Sequence, residues 1–157
     1  MWKKLIGGLA ARLPLPEASA HCDGPCGVYD PASARIAAEA VLAMTKKLLA
    51  LECQKDGDTA AKTAFLNTFT RYVAVKEEEA TTAKRELLIL WTDYFKPQHL
   101  AAAPNLHEIF WKAAKLCSAC KVEINEKHAV ELLAAIREIH DIFWKSKGKN
   151  VEWYTAG

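Results

Sequence analysis

A histidine, two cysteines, an aspartate and a tyrosine crowd into one short stretch, "HCDGPCGVYDP", residues 21–31. Three residues separate Cys22 from Cys26, and His21 directly precedes the first cysteine. Ahead of it stand Ala18, Ser19 and Ala20, small residues of the kind that precede a proteolytic cut. A cut behind Ala20 turns the amide nitrogen of His21 into a free, basic α-amine. A metal ion bound there can take that amine, the backbone nitrogen of Cys22 and the Cys22 thiolate, closing fused chelate rings. The Cys26 thiolate completes a plane, and the His21 imidazole can reach an axial position. Planar nitrogen and sulfur donors suit Ni(II) or Cu(II) and not tetrahedral zinc, and they leave the choice between nickel and copper open. Two thiolates with an anionic amide also stabilise a higher oxidation state, which makes the ion redox-active. Gly24 and Pro25 shape the turn between the donors.

The leader, residues 1–20, has a basic start and a short apolar stretch interrupted by Arg12, Pro14 and Pro16. It reads as a weak secretory signal or as a pro-segment removed by a cytosolic processing protease, and both readings end at Ala20. Five cysteines are an odd number and give no disulfide framework in a helix-rich chain. A reducing, cytoplasmic compartment is therefore expected. No apolar run reaches the roughly 18 residues that span a bilayer, so no membrane partner is expected. Lys3, Lys4 and Arg12 against Glu17 account for the whole net charge of +2. The rest of the chain is neutral, which argues against a nucleic-acid partner.

The elements that must hold this stretch read as all-α, an antiparallel up-down four-helix bundle carrying an N-terminal metal-binding hook. The expected organisation is a cleaved pro-segment 1–20, a hook 21–30, a bundle 31–147 and a tail 148–157. Asp30 caps the first helix with Pro31 at its first position. In that helix Ile36, Ala40, Leu42, Ala43, Leu49 and Cys53 form the expected inner face. Asp58 caps a second helix that runs over 59–95 without a proline, long enough to demand a kink or an extension. Its stripe includes Phe65, Phe69, Val73, Leu87, Leu90, Trp91 and Tyr94, and the charged stretch 76–79 is expected in solvent or at a subunit contact. Pro97 ends it and Pro104 opens the next segment, where Leu106, Ile109, Phe110, Ala113, Leu116, Cys117 and Cys120 recur at helical spacing. Asn125 caps the last helix, with Ala129, Leu132, Leu133, Ile136, Ile139 and Phe143 facing inward and Gly148 at its stop. No strand pattern, phosphate-binding loop or internal repeat competes.

The stretch "HCDGPCGVYDP" resembles the nickel hook of nickel-containing superoxide dismutases, and the likeness extends to "ARIAAEAV" and "LWTDYFKP". The resemblance implies a four-helix subunit, a homohexamer, a maturing protease and one nickel ion per subunit. It implies disproportionation of superoxide to dioxygen and hydrogen peroxide with Ni(III)/Ni(II) cycling. By position, His21, Cys22 and Cys26 are the implied metal ligands. Asp23 matches a hook-ordering position, Tyr29 a substrate-vestibule position and Pro25 the turn, while Tyr94 and Lys96 match positions beside the site. Some members carry a glutamate after the Arg-Ile pair, oriented with an arginine of the second helix toward the axial imidazole. Here Ala37 and Glu79 stand at those places. Glu79 is expected to supply the carboxylate from the other side.

A different class of reading is a nickel- or copper-binding storage protein without turnover. Cys117-Ser118-Ala119-Cys120 matches a C-x-x-C redox spacing, but inside a helix it reads as two small inward residues, and Cys53 likewise reads as core. His99, His107, His128 and His140 have no metal-ligand spacing.

Overall fold

The chain enters its first helix through an aspartate that bends back on the backbone: Asp30 Oδ1 accepts the Ala32 N–H at 2.8 Å. Pro31 follows with φ −70° and ψ −4°, already helical, and its carbonyl accepts the Arg35 N–H at 3.1 Å. The computed structural model describes residues 27–53 and 57–156. Among them lie helix α1 (Ala32–Leu49), α2 (Thr59–Ile89), α3 (Leu106–Val122) and α4 (Glu126–Ser146), and no strand. Asp58 accepts the Ala61 N–H at 2.8 Å to start α2. Asn125 accepts the Lys127 N–H at 3.0 Å to start α4. Both are the side-chain caps that satisfy orphan amides of a first turn.

The helices pack in a closed square: α1 against α2 and α4, α3 against α2 and α4. The inward residues of α3 and α4 follow the expected stripes, with Leu106, Phe110, Cys117, Leu132, Ile136, Ile139 and Phe143 all buried. Helix α1 departs from expectation. Its buried face is Ala34, Ala37, Ala38, Val41, Thr45 and Leu48, whereas Ile36 is 56 % exposed and Leu49 55 %. The small residues let α1 approach α2 closely, and close backbone approach outweighs the size of Ile36 and Leu49. Cys53, expected in the core, is exposed beyond the end of α1.

Helix α2 has 31 residues and is about 46 Å long at 1.5 Å per residue. Its first buried residue is Lys76; before it Tyr72 still meets Lys47 of α1, and Phe65 and Phe69 stack on each other at 5.9 Å. The expectation of a solvated stretch 76–79 fails at its first member. Lys76 is 1 % exposed, and its ammonium donates to the carbonyls of Cys120, Lys121 (3.0 Å) and Glu123 (3.1 Å) at the end of α3. Burial lowers its pKa from the usual 10.5. Three orphan carbonyls with negative partial charge make a buried ammonium tolerable.

After α4 the chain turns at Gly148, whose φ of +65° suits a residue without Cβ. The Gly148 N–H reaches the Lys145 carbonyl at 3.0 Å and the Lys149 N–H the Trp144 carbonyl at 2.9 Å, a Schellman closure. The tail then returns over the bundle. Val151 O meets His140 Nε2 at 2.9 Å, Trp153 stands edge-on to the His140 ring, and Tyr154 lies under the Arg35 guanidinium at 4.2 Å. The Ala156 N–H donates to Glu39 Oε2 at 2.7 Å, and Glu39 in turn holds Arg35 at 2.5 Å. The tail thus fastens α4 to the first turns of α1, the helix onto which the hook leads.

Candidate functional site

The expected site residues fall into two groups. Ala20, His21, Cys22, Asp23 and Cys26 lie outside the described residues. Tyr29, Tyr94 and Lys96 are described, and all three line one open cleft of about 440 Å³.

That cleft is built by a break in helical regularity. Leu90–Tyr94 at the end of α2 is a π-helical turn, closed by the Phe95 N–H on the Leu90 carbonyl at 3.1 Å. Such turns are rare and commonly mark functional positions. Phe95 and Lys96 are then extended, and Pro97 starts the 3₁₀ turn Pro97–Ala101. His99 Nδ1 accepts the Lys96 N–H at 3.0 Å, which places a neutral ring's proton on Nε2. The His99 ring stacks on Tyr94 at 5.5 Å and 8°. Tyr29, arriving from the hook side, packs its ring against the same Tyr94 at 5.5 Å. Phe143 of α4 backs Tyr94 at 4.6 Å. Two phenols, an imidazole and a lysine thus converge from two separate stretches of chain, one at Tyr29 and one over 94–99.

The hydrogen bonds decide what each phenol can do. Ser146 donates its hydroxyl to the Phe143 carbonyl at 2.6 Å, so Tyr94 is the donor in its 2.6 Å bond to Ser146 Oγ. Tyr94 therefore presents only lone pairs to any further partner. Gly27, at the mouth of the cleft, has φ +66° and nothing within 4 Å of a Cβ placed on it. Its requirement is the left-handed turn and not space.

A smaller cleft, about 90 Å³, lies on the other side of Tyr29 between the Val28–Ser33 segment and α2. Its carboxylates are Asp30, which accepts the Ala32 N–H, and Glu86, 9 % exposed and paired to Arg85 Nη2 at 3.2 Å. Glu79 lies two turns earlier on α2, half-buried, and lines neither cleft. Ala37 is 2 % exposed. Sequence reasoning missed Glu86, His99, Ser146 and Lys147. Glu86 is seven positions from Glu79 on the same helix face, the one signal that could have drawn attention to it.

The other cysteines and histidines are accounted for structurally. Cys117 and Cys120 are 0 % and 2 % exposed, and burial pushes their thiols from 9.0 up to about 12 and about 11. Thiols held protonated are poor nucleophiles and poor ligands. His107 accepts from Trp91 Nε1 at 2.8 Å, His128 Nδ1 lies 3.0 Å from Glu123 Oε2, and His140 holds the tail. Among the described residues no three His, Cys, Asp or Glu gather as a metal site. The expected ligands His21, Cys22 and Cys26, outside the described residues, carry nitrogen and sulfur donors of the kind that nickel takes.

Comparison with known proteins follows the same lines. Residues 16–147 match the sequence pattern of nickel-containing superoxide dismutase. The chain is 44 % identical over 108 residues to "Superoxide dismutase [Ni]" of Streptomyces seoulensis, covering 69 % of this chain and 73 % of that protein. It is 43 % identical over 103 residues to the protein of the same name from Streptomyces coelicolor, covering 66 % and 70 %. A crystal structure of a Ni-containing superoxide dismutase with ligation corresponding to the oxidised state superposes with TM-score 0.69 at 41 % identity. It covers 82 % of this chain and 99 % of that one. A native nickel superoxide dismutase structure gives 0.67 at 39 % identity over the same shares.

Proposed function

Because the chain belongs to the nickel-containing superoxide dismutase family, we propose that it disproportionates superoxide at a nickel ion held by His21, Cys22 and Cys26. The observation that carries this reading is the cleft at the foot of the hook segment. Gly27 and Tyr29, the first residues after the proposed ligands, line it together with Tyr94 and Lys96. When bound, nickel would supply the one-electron couple that oxidises one superoxide and reduces another. The amine and imidazole of His21, the backbone nitrogen of Cys22 and both thiolates would hold it once the chain is cut behind Ala20. Asp23 is assigned to ordering the hook.

The chain's own residues would handle the anion and its protons. Tyr29 narrows the cleft. Its partner Tyr94, with its proton committed to Ser146, can accept a hydrogen bond but cannot donate one. Lys96, exposed at the rim, supplies positive charge to a superoxide anion. Glu79 is retained as the proposed partner of the His21 imidazole in place of the glutamate absent at Ala37, while Glu86 lines the smaller cleft beside Tyr29.

The exposed early stretch of α2, with Leu66 59 % exposed beside Phe65 and Phe69, supports a homohexamer in which that stretch is covered by another copy. No helix among the described residues is long and apolar enough to cross a membrane, and a cytoplasmic location is proposed. The storage reading has no support among the relatives matched, which are named as dismutases.

Intact mass and metal analysis of protein from its native host test the proposal together with superoxide consumption. A chain beginning at His21 with about one nickel per chain and activity lost in Cys26→Ser is expected. An uncut chain that is purified active would overturn it.

A further inference from the structure

Lys147, the residue after the last turn of α4, lines the same cleft as Tyr29, Tyr94 and Lys96 although 50 residues separate it from Lys96 in sequence. Its backbone is fixed. The Lys147 N–H reaches the Trp144 carbonyl at 3.1 Å, and the Gly148 and Lys149 amides close the Schellman turn around it. Its ammonium lies 4.8 Å from the centre of the Phe143 ring and 5.4 Å from that of Tyr94. Ring faces attract a cation without accepting its protons in strong hydrogen bonds, so the charge is held in place and left intact. Among the described residues no carboxylate pairs with Lys147. Asp93 is the carboxylate lining the cleft, and it accepts the Thr92 hydroxyl at 2.8 Å.

We propose that Lys147 is a second anion-guiding residue of this cleft, paired with Lys96 across Tyr94 to draw in and hold a small monoanion beside the two phenols. The inference rests on the superoxide reading for the identity of the natural anion. It rests on this structure alone for the site. With leader charges excluded the chain has no net charge, so attraction over a distance cannot come from the molecule as a whole. Two lysines against Asp93 make the cleft locally positive. The Tyr94 ring, touched by Tyr29 on one side and by the Lys147 ammonium nearby, puts the guiding charge next to the groups that order the anion. At low ionic strength that charge reaches out of the open cleft, and added salt screens it.

The test uses the processed, nickel-loaded full chain and its Lys147→Gln and Lys147→Arg variants. Superoxide decay is followed by pulse radiolysis across ionic strength. Lys147→Gln is expected to lower kcat/KM about tenfold at low salt and to flatten its salt dependence. Lys147→Arg should keep the slope. A second readout needs no nickel: azide, a small monoanion, is titrated into the metal-free full chain while amide NMR signals of Gly27, His99 and Lys147 are followed. Those signals should shift together, and Lys147→Gln should weaken the apparent affinity by roughly threefold or more. If the wild-type loaded protein does not consume superoxide, the functional reading fails while the azide result still decides the site. If the wild type is active and Lys147→Gln matches it in rate, salt slope and azide affinity, the inference is overturned.

Discussion

Two lysines sit at the C-terminal ends of two helices and are used in opposite ways. Lys76 is driven under the end of α3, 1 % exposed, with its protons given to the carbonyls of Cys120, Lys121 and Glu123. Lys147 stands at the end of α4, half-buried, resting on the faces of Phe143 and Tyr94. Carbonyls consume the donors of the first and seal its charge inside the scaffold. Aromatic rings immobilise the second and leave its donors for a visitor. A helix terminus can therefore use the same side chain as a structural plug or as part of a site, and the surrounding acceptors decide which.

The largest expected effect breaks the plug. Lys76→Met keeps much of the length but leaves three buried carbonyls without a donor, and should cost about 3 kcal/mol of unfolding free energy in urea. A loss under about 0.5 kcal/mol would mean that the carbonyls find water instead. A smaller effect should appear with pH around the same plug. Cys117 and Cys120, buried below Lys76, are pushed from 9.0 up to about 12 and about 11. The folded state keeps two protons that the unfolded chain surrenders above pH 9. Stability is thus complete below 9 and falls as pH rises through 11 and 12, by about 1.4 kcal/mol per pH unit for each thiol. Lys76 acts with the opposite sign, because burial lowers its pKa from 10.5 and the unfolded chain then binds the extra proton. Two thiols outweigh one amine, so urea midpoints should drop above pH 9 and the slope should shrink in Cys117→Ala/Cys120→Ala. The smallest effect sharpens the contrast: Lys147→Met should change unfolding free energy by no more than about 0.5 kcal/mol, even though the same position governs the anion.

Much of the frame was legible because caps and breakers act locally. Asp58, Asn125, Pro97 and Gly148 end or begin elements where their chemistry demands it. The stripes of α3 and α4 were equally plain, since large aliphatic residues there have one face to occupy. Helix α1 was misread because alanines pack by closeness and not by size, which periodicity of bulk does not register. Lys76 was misread because a charge next to Glu77 and Glu78 looks solvated until the end of α3, 44 residues away, is brought over it. In the site, the ligand pattern and the Tyr29, Tyr94 and Lys96 trio are local motifs. His99 meets Tyr94 and Lys96 locally, within the same short stretch, whereas Lys147 and Ser146 join them only through tertiary packing that no spacing in the chain encodes.

The π-helical turn at Leu90–Tyr94 has a consequence for how this cleft can be lost. An α-helix rotates each residue about 100° from the last, so the direction of every later side chain depends on the count of residues before it. The Phe95 amide closing on Leu90 spends one residue more than an α-turn would. Removing Trp91 or Thr92 would let α2 run on regularly, and Tyr94 and Lys96 would swing off the mouth of the cleft with every side chain lining it still encoded. The cleft is addressed by a count, one supernumerary residue, as much as by the identity of the residues it presents.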